Sequence, residues 1–208
     1  LFKDGQRKRA KLIVKSLFEE NDKYKDIDII VFCELFDDKS RKTVLKNSKK
    51  YGFNYQTKVI GNSKVIKRCC SALCSKNPRV LVENGGVVLV SKYPIISEDS
   101  VIYNSNEISG TDSLSAKGIL YTKILKNNKN FHIFSTHMQA WYEKKNEIMR
   151  FSEARRLNKL ILDKKISNNE SVFIIGDLNI DSISNKKEIN HFKNIMDIQI
   201  PEIIGDQK

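Results

Sequence analysis

A chain of 208 residues with 40% hydrophobic content fits one large folded domain, and no run approaches the ~20 consecutive apolar residues a membrane-crossing helix needs. Its net charge of +12, from 37 Lys and Arg against 25 Asp and Glu, favours a polyanionic partner: nucleic acid, an anionic membrane surface or a phosphate-rich substrate. Much of that excess is Lys scattered among Asn, as in Lys126-Asn127-Asn128-Lys129-Asn130, with no dense Arg-aromatic segment, so charge alone does not choose among these partners.

In chain order, residues 6 to 20 place Leu12, Ile13, Leu17 and Phe18 on one face at helical spacing. Ile27 to Cys33 is rich in β-branched residues and reads as a buried strand ending at Glu34. Asp37 or Asp38 can cap a helix that runs to about Lys49, and Tyr55 to Ile60 is a second strand. Ser63 to Pro78 shows no period and reads as a long loop. Gly85-Gly86 opens a strand from Val87 to Ser91, and Lys92-Tyr93-Pro94 turns the chain into another, Ile95 to Tyr103. Asn104 to Ser115 is polar and loop-like. Gly118 to Leu125 and Phe131 to Met138 form a hairpin across the Lys/Asn turn. A long amphipathic helix follows from about Tyr142 to Lys165, with Ile148, Phe151, Leu157, Leu160 and Ile161 inward. Val172 to Ile175 is a short strand ending at Gly176-Asp177, and Lys186 to Met196 is again helical. Strands with helices inserted in this order predict an α/β (α+β) sandwich of four layers: two sheets face to face, helices outside.

Cys33 behaves as a small hydrophobe in its strand. Cys69, Cys70 and Cys74 have no histidine at metal-ligand spacing and read as loop cysteines, one disulfide to Cys74 remaining open in an oxidising compartment.

The informative feature is what stands where apolar strands stop. Glu34 follows Ile29-Ile30-Val31-Phe32-Cys33; His137 ends Phe131 to Thr136; Asp177 and Asn179 follow Val172 to Gly176. Strand ends hold side chains rigidly and aim them at the loops, where sites are built. A carboxylate after an apolar run is costly unless solvated, paired or metal-bound, and oxygen ligands of this kind suit Mg²⁺. Taken singly, Glu34 is also a helix-capping acid, Asp177-x-Asn179 an Asx turn, and His137 a hydrogen-bonded structural histidine. His132, on the other strand face, reads as structural and His191 as surface.

The ordered set Ile-Val-Phe-Cys-Glu34-Leu-Phe-Asp37, Gly85-Gly86 through Ser91-Lys92-Tyr93-Pro94-Ile95, Ser135-Thr136-His137-Met138-Gln139-Ala140 and Gly176-Asp177-Leu178-Asn179 resembles the endonuclease/exonuclease/phosphatase superfamily. Thr136-His137-Met138-Gln139-Ala140 and Leu114-Ser115-Ala116-Lys117-Gly118 are similar to its neutral and bacterial sphingomyelinase branch. The resemblance implies a DNase I-like pair of mixed sheets flanked by helices and a Mg²⁺-dependent phosphodiesterase, with Mn²⁺ or Co²⁺ as substitutes. Its substrate would be sphingomyelin or a related choline phospholipid, split to ceramide and phosphocholine. By the same resemblance Glu34 ligates the metal, Asp177 helps protonate the leaving alkoxide, Asn179 orients the phosphate and His137 donates to a phosphoryl oxygen. Lys117 belongs to an electropositive wall. One departure stands in the helix after Gln139-Ala140: where the branch usually has a Gln, this chain reads Arg150-Phe-Ser-Glu-Ala-Arg155-Arg156.

Against the family pattern the chain is expected to be one catalytic-domain fragment, 1–208, lacking the first Asn-bearing strand and the final Ser-Asp-His segment. No general base is therefore assigned, and the fragment alone is expected to be nearly inactive and poorly stable. Trp141-Tyr142, beside the site, suit a headgroup-level membrane contact or a staple packed into the core. No obligate protein partner is inferred, and the compartment stays open. The competing functions are a DNase- or AP-endonuclease-like nuclease, for which the charge speaks, an inositol-polyphosphate phosphatase of the same fold, and a non-catalytic lipid- or protein-binding module.

Overall fold

The structure, a computed structural model, describes residues 5–18, 26–61 and 81–199. Cys69, Cys70, Cys74 and the loop expected from Ser63 to Pro78 lie outside the described residues.

The elements run α1 (Gln6–Phe18), β1 (Ile29–Phe32), α2 (Asp38–Lys49), β2 (Tyr55–Gln56), β3 (Glu83–Asn84), β4 (Val88–Ser91), β5 (Ile95–Ile102), a 3₁₀ turn (Gly110–Leu114), β6 (Ser115–Ala116), β7 (Gly118–Lys126), β8 (Lys129–His137), α3 (Lys144–Asp163), β9 (Ser171–Asp177) and α4 (Lys186–Met196). Among the described residues, one sheet has the antiparallel order β1-β4-β2. The other has the order β5-β7-β8-β9, antiparallel until β8 and β9 pair in parallel. β3 and β6 form a small parallel pair.

Period-two alternation explains the layering. Leu89 of β4, with Leu120 and Ile124 of β7 and Ile133 of β8, fills the space between the two sheets. Val90 and Phe32 face the other way, against Ala10 and Val14 of α1 and Val44 of α2. Ile119, Tyr121 and Phe134 turn to the opposite outside, under Ala154 and Leu157 of α3 and Phe192 of α4. The result is helix, sheet, sheet, helix.

Three expectations change in detail. The inward face of α1 is Ala10, Val14, Leu17 and Phe18, while Leu12 and Ile13 are exposed. The strand expected from Tyr55 to Ile60 keeps ladder geometry only to Gln56, because the Thr57 hydroxyl accepts from the Leu89 N–H at 2.9 Å and takes over a backbone role. Within α3, Ile148 is 51% exposed and the buried stripe is Asn146, Arg150, Glu153, Ala154 and Leu157.

Candidate active site

The alternation that builds the core also aims the site. His137 lies on the same face of β8 as Ile133, and Asp177 on the same face of β9 as Phe173 and Ile175, so both reach the mouth between the sheets. Their backbones are paired residue to residue, His137 with Asp177. Gly176 permits this approach, since a Cβ there would stand 2.0 Å from the Thr136 carbonyl oxygen.

Glu34 arrives from the facing sheet. It has φ +61, a left-handed conformation that costs a side-chain-bearing residue about 1–3 kcal/mol. The surroundings hold it there: the Leu35 N–H donates to the Gly86 carbonyl at 2.9 Å, and Gly86 lies so close beneath that a Cβ would meet the Glu34 Cα at 3.1 Å and the Phe36 ring at 2.9 Å. Asn84 locks the loop by donating to the Phe36 carbonyl and accepting from the Gly86 N–H. Cys33 joins the two sheets at this point. Burial pushes its thiol up, the Asp177 backbone N–H pulls it down by hydrogen bonding, and the charges of Asp177 and Glu34 push it up again. Its Sγ lies 4.0 Å from the Thr136 carbonyl oxygen, which sets the residue before Glu34 against the end of β8 that carries His137.

His137 is buried, and its Nε2 lies 3.3 Å from the Lys117 ammonium and 3.9 Å from an Asp177 carboxylate oxygen. An ammonium only donates, so His137 Nε2 is the acceptor and the ring proton sits on Nδ1, which has no hydrogen-bond partner among the described residues. Burial and the Lys117 charge hold the imidazole below its ordinary pKa, opposed by Asp177, Glu34 and Asp112. His137 is thus neutral at neutral pH. Replacing Lys117 by Met removes a cation from its side, so the imidazole should titrate at higher pH than in the parent, which NMR of its C–H signals would follow.

Lys117, 2% exposed, spends its three donors within the protein, on Asp112 at 2.8 Å, the Met138 carbonyl at 3.0 Å and His137. Its charge reaches the mouth through His137 rather than through a free N–H. Asp112 is the residue that sequence reasoning missed. Its carboxylate also accepts from the Ala140 N–H at 2.7 Å, tying the 3₁₀ turn to the segment after His137. The one available signal was its place five residues before Lys117, within a stretch that reads as plain loop.

Asn179, at φ +52, closes an Asx turn by donating its backbone N–H to Asp177 Oδ1, and its side-chain amide donates to the Met138 carbonyl at 2.9 Å. Glu34, Asp177, Asn179, His137 and Lys117 are thereby brought to one end of the sandwich. Trp141 and Tyr142 stand on the rim, 63% and 80% exposed, not packed into the core. His132 is structural, bonded to Tyr121 and Glu170 on the helix-facing side, and His191 is at the surface against Phe151.

Residues 4–188 match the family described as Endonuclease/Exonuclease/phosphatase family. The chain belongs to that family. It is 34% identical to a sphingomyelinase C from Leptospira interrogans over 97% of its own length and 34% of that protein's. It is 36% identical to a phospholipase C from Staphylococcus aureus over 85% of its length and 51% of that protein's. Against a sphingomyelinase C from Bacillus cereus the identity is 32%, covering 97% of this chain and 60% of the other. The chain thus spans between about a third and three fifths of these relatives. Among solved structures it superposes on SmcL with TM-score 0.78 at 29% identity, over 97% of this chain and 65% of that one. A Staphylococcus aureus beta toxin with bound magnesium ions superposes with TM-score 0.77 at 30% identity, over 94% and 64%.

Among the described residues no three His, Cys, Asp or Glu side chains gather into a metal cage. Mg²⁺ does not require one, because it keeps several waters and takes one or two carboxylates plus substrate phosphate. Glu34 fits that mode: an exposed oxygen donor kept in a costly backbone conformation at the end of β1.

Proposed function

We propose that this chain carries the catalytic centre of a Mg²⁺-dependent phosphodiesterase that releases phosphocholine from sphingomyelin, leaving ceramide, at a membrane surface. The observation that carries the reading is the pairing of His137 with Asp177 at the ends of β8 and β9, with Asn179 bonded to the Met138 carbonyl beside them and Glu34 held in a left-handed conformation at the end of β1. Kinship to sphingomyelinases supports the choice of lipid.

Glu34 would hold Mg²⁺, which when bound neutralises phosphate charge and acts as a Lewis acid. Asp177, half-exposed at 53%, has a carboxylate that accepts from the Asn179 N–H and would serve as the positioned acid for the departing alkoxide. Asn179 commits one of its two amide protons to the Met138 carbonyl and can offer the other to a phosphoryl oxygen. His137 takes its place beside that oxygen with Lys117 and Asp112 fixing the ring and the positive charge behind it.

The test is phosphocholine release from sphingomyelin against nicking of DNA, each with and without Mg²⁺, using the natural gene product. Lipid cleavage that needs the metal, with DNA intact, is the expected result. A nuclease, the reading that the +12 charge supports, would reverse it and show steep inhibition by salt.

Trp141 and Tyr142 are assigned to the lipid headgroup region, where amphipathic rings settle. Trp141→Ala should weaken binding to vesicles about tenfold while leaving a soluble phosphocholine ester cleaved normally. Equal losses on both substrates would return Trp141 to a structural role.

A further inference from the structure

The rim on which Trp141 and Tyr142 stand is tied to a second loop. Arg150, buried in α3, ties the two together: its guanidinium donates to the Trp141 carbonyl at 2.7 Å and to Glu188 in the first turn of α4 at 2.6 Å. The chain that leads from Asn179 into α4 is therefore held beside the chain that leads from His137 into α3. Asn179 makes the same connection nearer the mouth through the Met138 carbonyl.

On that second loop stands Ile183, 80% exposed, as open as Tyr142 and more open than Trp141 at 63%. It is presented, not dangling. The Asp181 carboxylate accepts from the Ile183 N–H at 3.0 Å and from the Ser184 N–H at 2.8 Å, and these bonds hold the Asp181 pKa below its ordinary value. The Asn185 N–H closes back onto the Asp181 carbonyl at 3.0 Å, and the Asn185 side chain caps α4 at Glu188. An apolar side chain on a turn made rigid by four hydrogen bonds loses little entropy when it enters another phase, whereas in water it only exposes hydrocarbon. Around the two loops, Lys144 and Lys145 open α3 while Lys186 and Lys187 open α4, all exposed. Apolar tips with lysines behind them match a phospholipid surface: hydrocarbon for the tips, headgroup phosphates for the ammonium groups.

We infer that Ile183 is a membrane-inserting wedge which, with Trp141 and Tyr142, forms a two-loop phospholipid-docking face around the catalytic mouth. This rests on the lipid-surface reading of Trp141 and extends it to a loop that reading does not include.

The test measures partition of the natural gene product onto vesicles of phosphatidylcholine alone, which hold no sphingomyelin, by sedimentation. Ile183→Ser should lower the partition coefficient about tenfold. Leu162→Ser is the control: it is 68% exposed but sits at the far end of the 20-residue α3, about 30 Å from Trp141. It should bind as the parent does. Cleavage of a soluble phosphocholine ester should be unchanged in both variants. Should Trp141→Ser weaken binding while Ile183→Ser does not, the wedge is refuted and the single-loop reading stands. If the parent itself fails to bind these vesicles, or Leu162→Ser loses as much as Ile183→Ser, the docking face is wrong as a whole.

Discussion

Asp177→Asn should lower kcat/KM on sphingomyelin about 10²–10⁴-fold, the range a positioned acid contributes. The substitution isolates chemistry from shape. Asn can accept the Asn179 N–H through its own side-chain oxygen, so the turn over Asp177 persists, and a half-exposed side chain carries little packing. What disappears is the group able to take up and release a proton. A ceramide alkoxide is a poor leaving group and needs that proton. A nitrophenolate leaves as an anion near neutral pH and does not. The loss should therefore shrink to less than about tenfold on a nitrophenyl ester of phosphocholine. Losses of equal size on the two substrates would assign Asp177 to holding the phosphate instead. His137→Ala should behave differently, losing similar factors on both, because the role proposed for it, at a phosphoryl oxygen, does not depend on the leaving group.

The ends of the strands were legible in the sequence because two signals coincide there. β-Branched runs such as Ile29-Ile30-Val31-Phe32 announce a strand, and a polar residue stops the run at the point where loops begin. Alternation then gives direction: His132 and His137 differ by an odd number of positions, which sends one to the helices and one to the mouth between the sheets. The same logic gives nothing for Asp112, whose stretch has no period to interrupt. Its partners, Lys117 and the Ala140 N–H, are chosen by the 3₁₀ turn and by a contact across 28 positions. Nor does a sequence show that Glu34 and Asn179 adopt left-handed conformations, since those are imposed by Gly86 beneath one and the Asx turn beneath the other. The face of α3 is legible in part: Leu157, Leu160 and Ile161 pack inward as the period predicts, whereas Ile148 is exposed. Hydrophobic periodicity assumes that buried means apolar, and this helix buries Asn146, Arg150 and Glu153 because it must support an irregular loop whose carbonyls and amides need partners.

That polar stripe leads to the largest stability effect expected. Arg150→Met should destabilise the protein by about 3–5 kcal/mol, the cost of breaking a buried pair from one side. For a chain of this size that is a fall in Tm of about 6–20 °C, measurable by calorimetry. The guanidinium is fully buried and its ion-pair partner among the described residues is Glu188, at 2.6 Å. Glu153, also in the stripe, accepts from the Gln139 N–H at 2.8 Å, and burial pushes its carboxyl well above the usual range, which disfavours its charged form beside Arg150. Removing Arg150 takes the cation from the buried Glu188 carboxylate, leaving it the Asn185 side-chain amide, and strips the Gln139 and Trp141 carbonyls of their donor. Glu188→Leu in the same background removes the orphaned charge and should recover most of the loss in stability. It should not recover vesicle binding, because the Trp141 carbonyl still lacks its anchor and the rim it holds beside α4 is loosened. A double variant as unstable as Arg150→Met would mean that the guanidinium acts through its two carbonyl bonds alone, and the charge pair with Glu188 would contribute nothing.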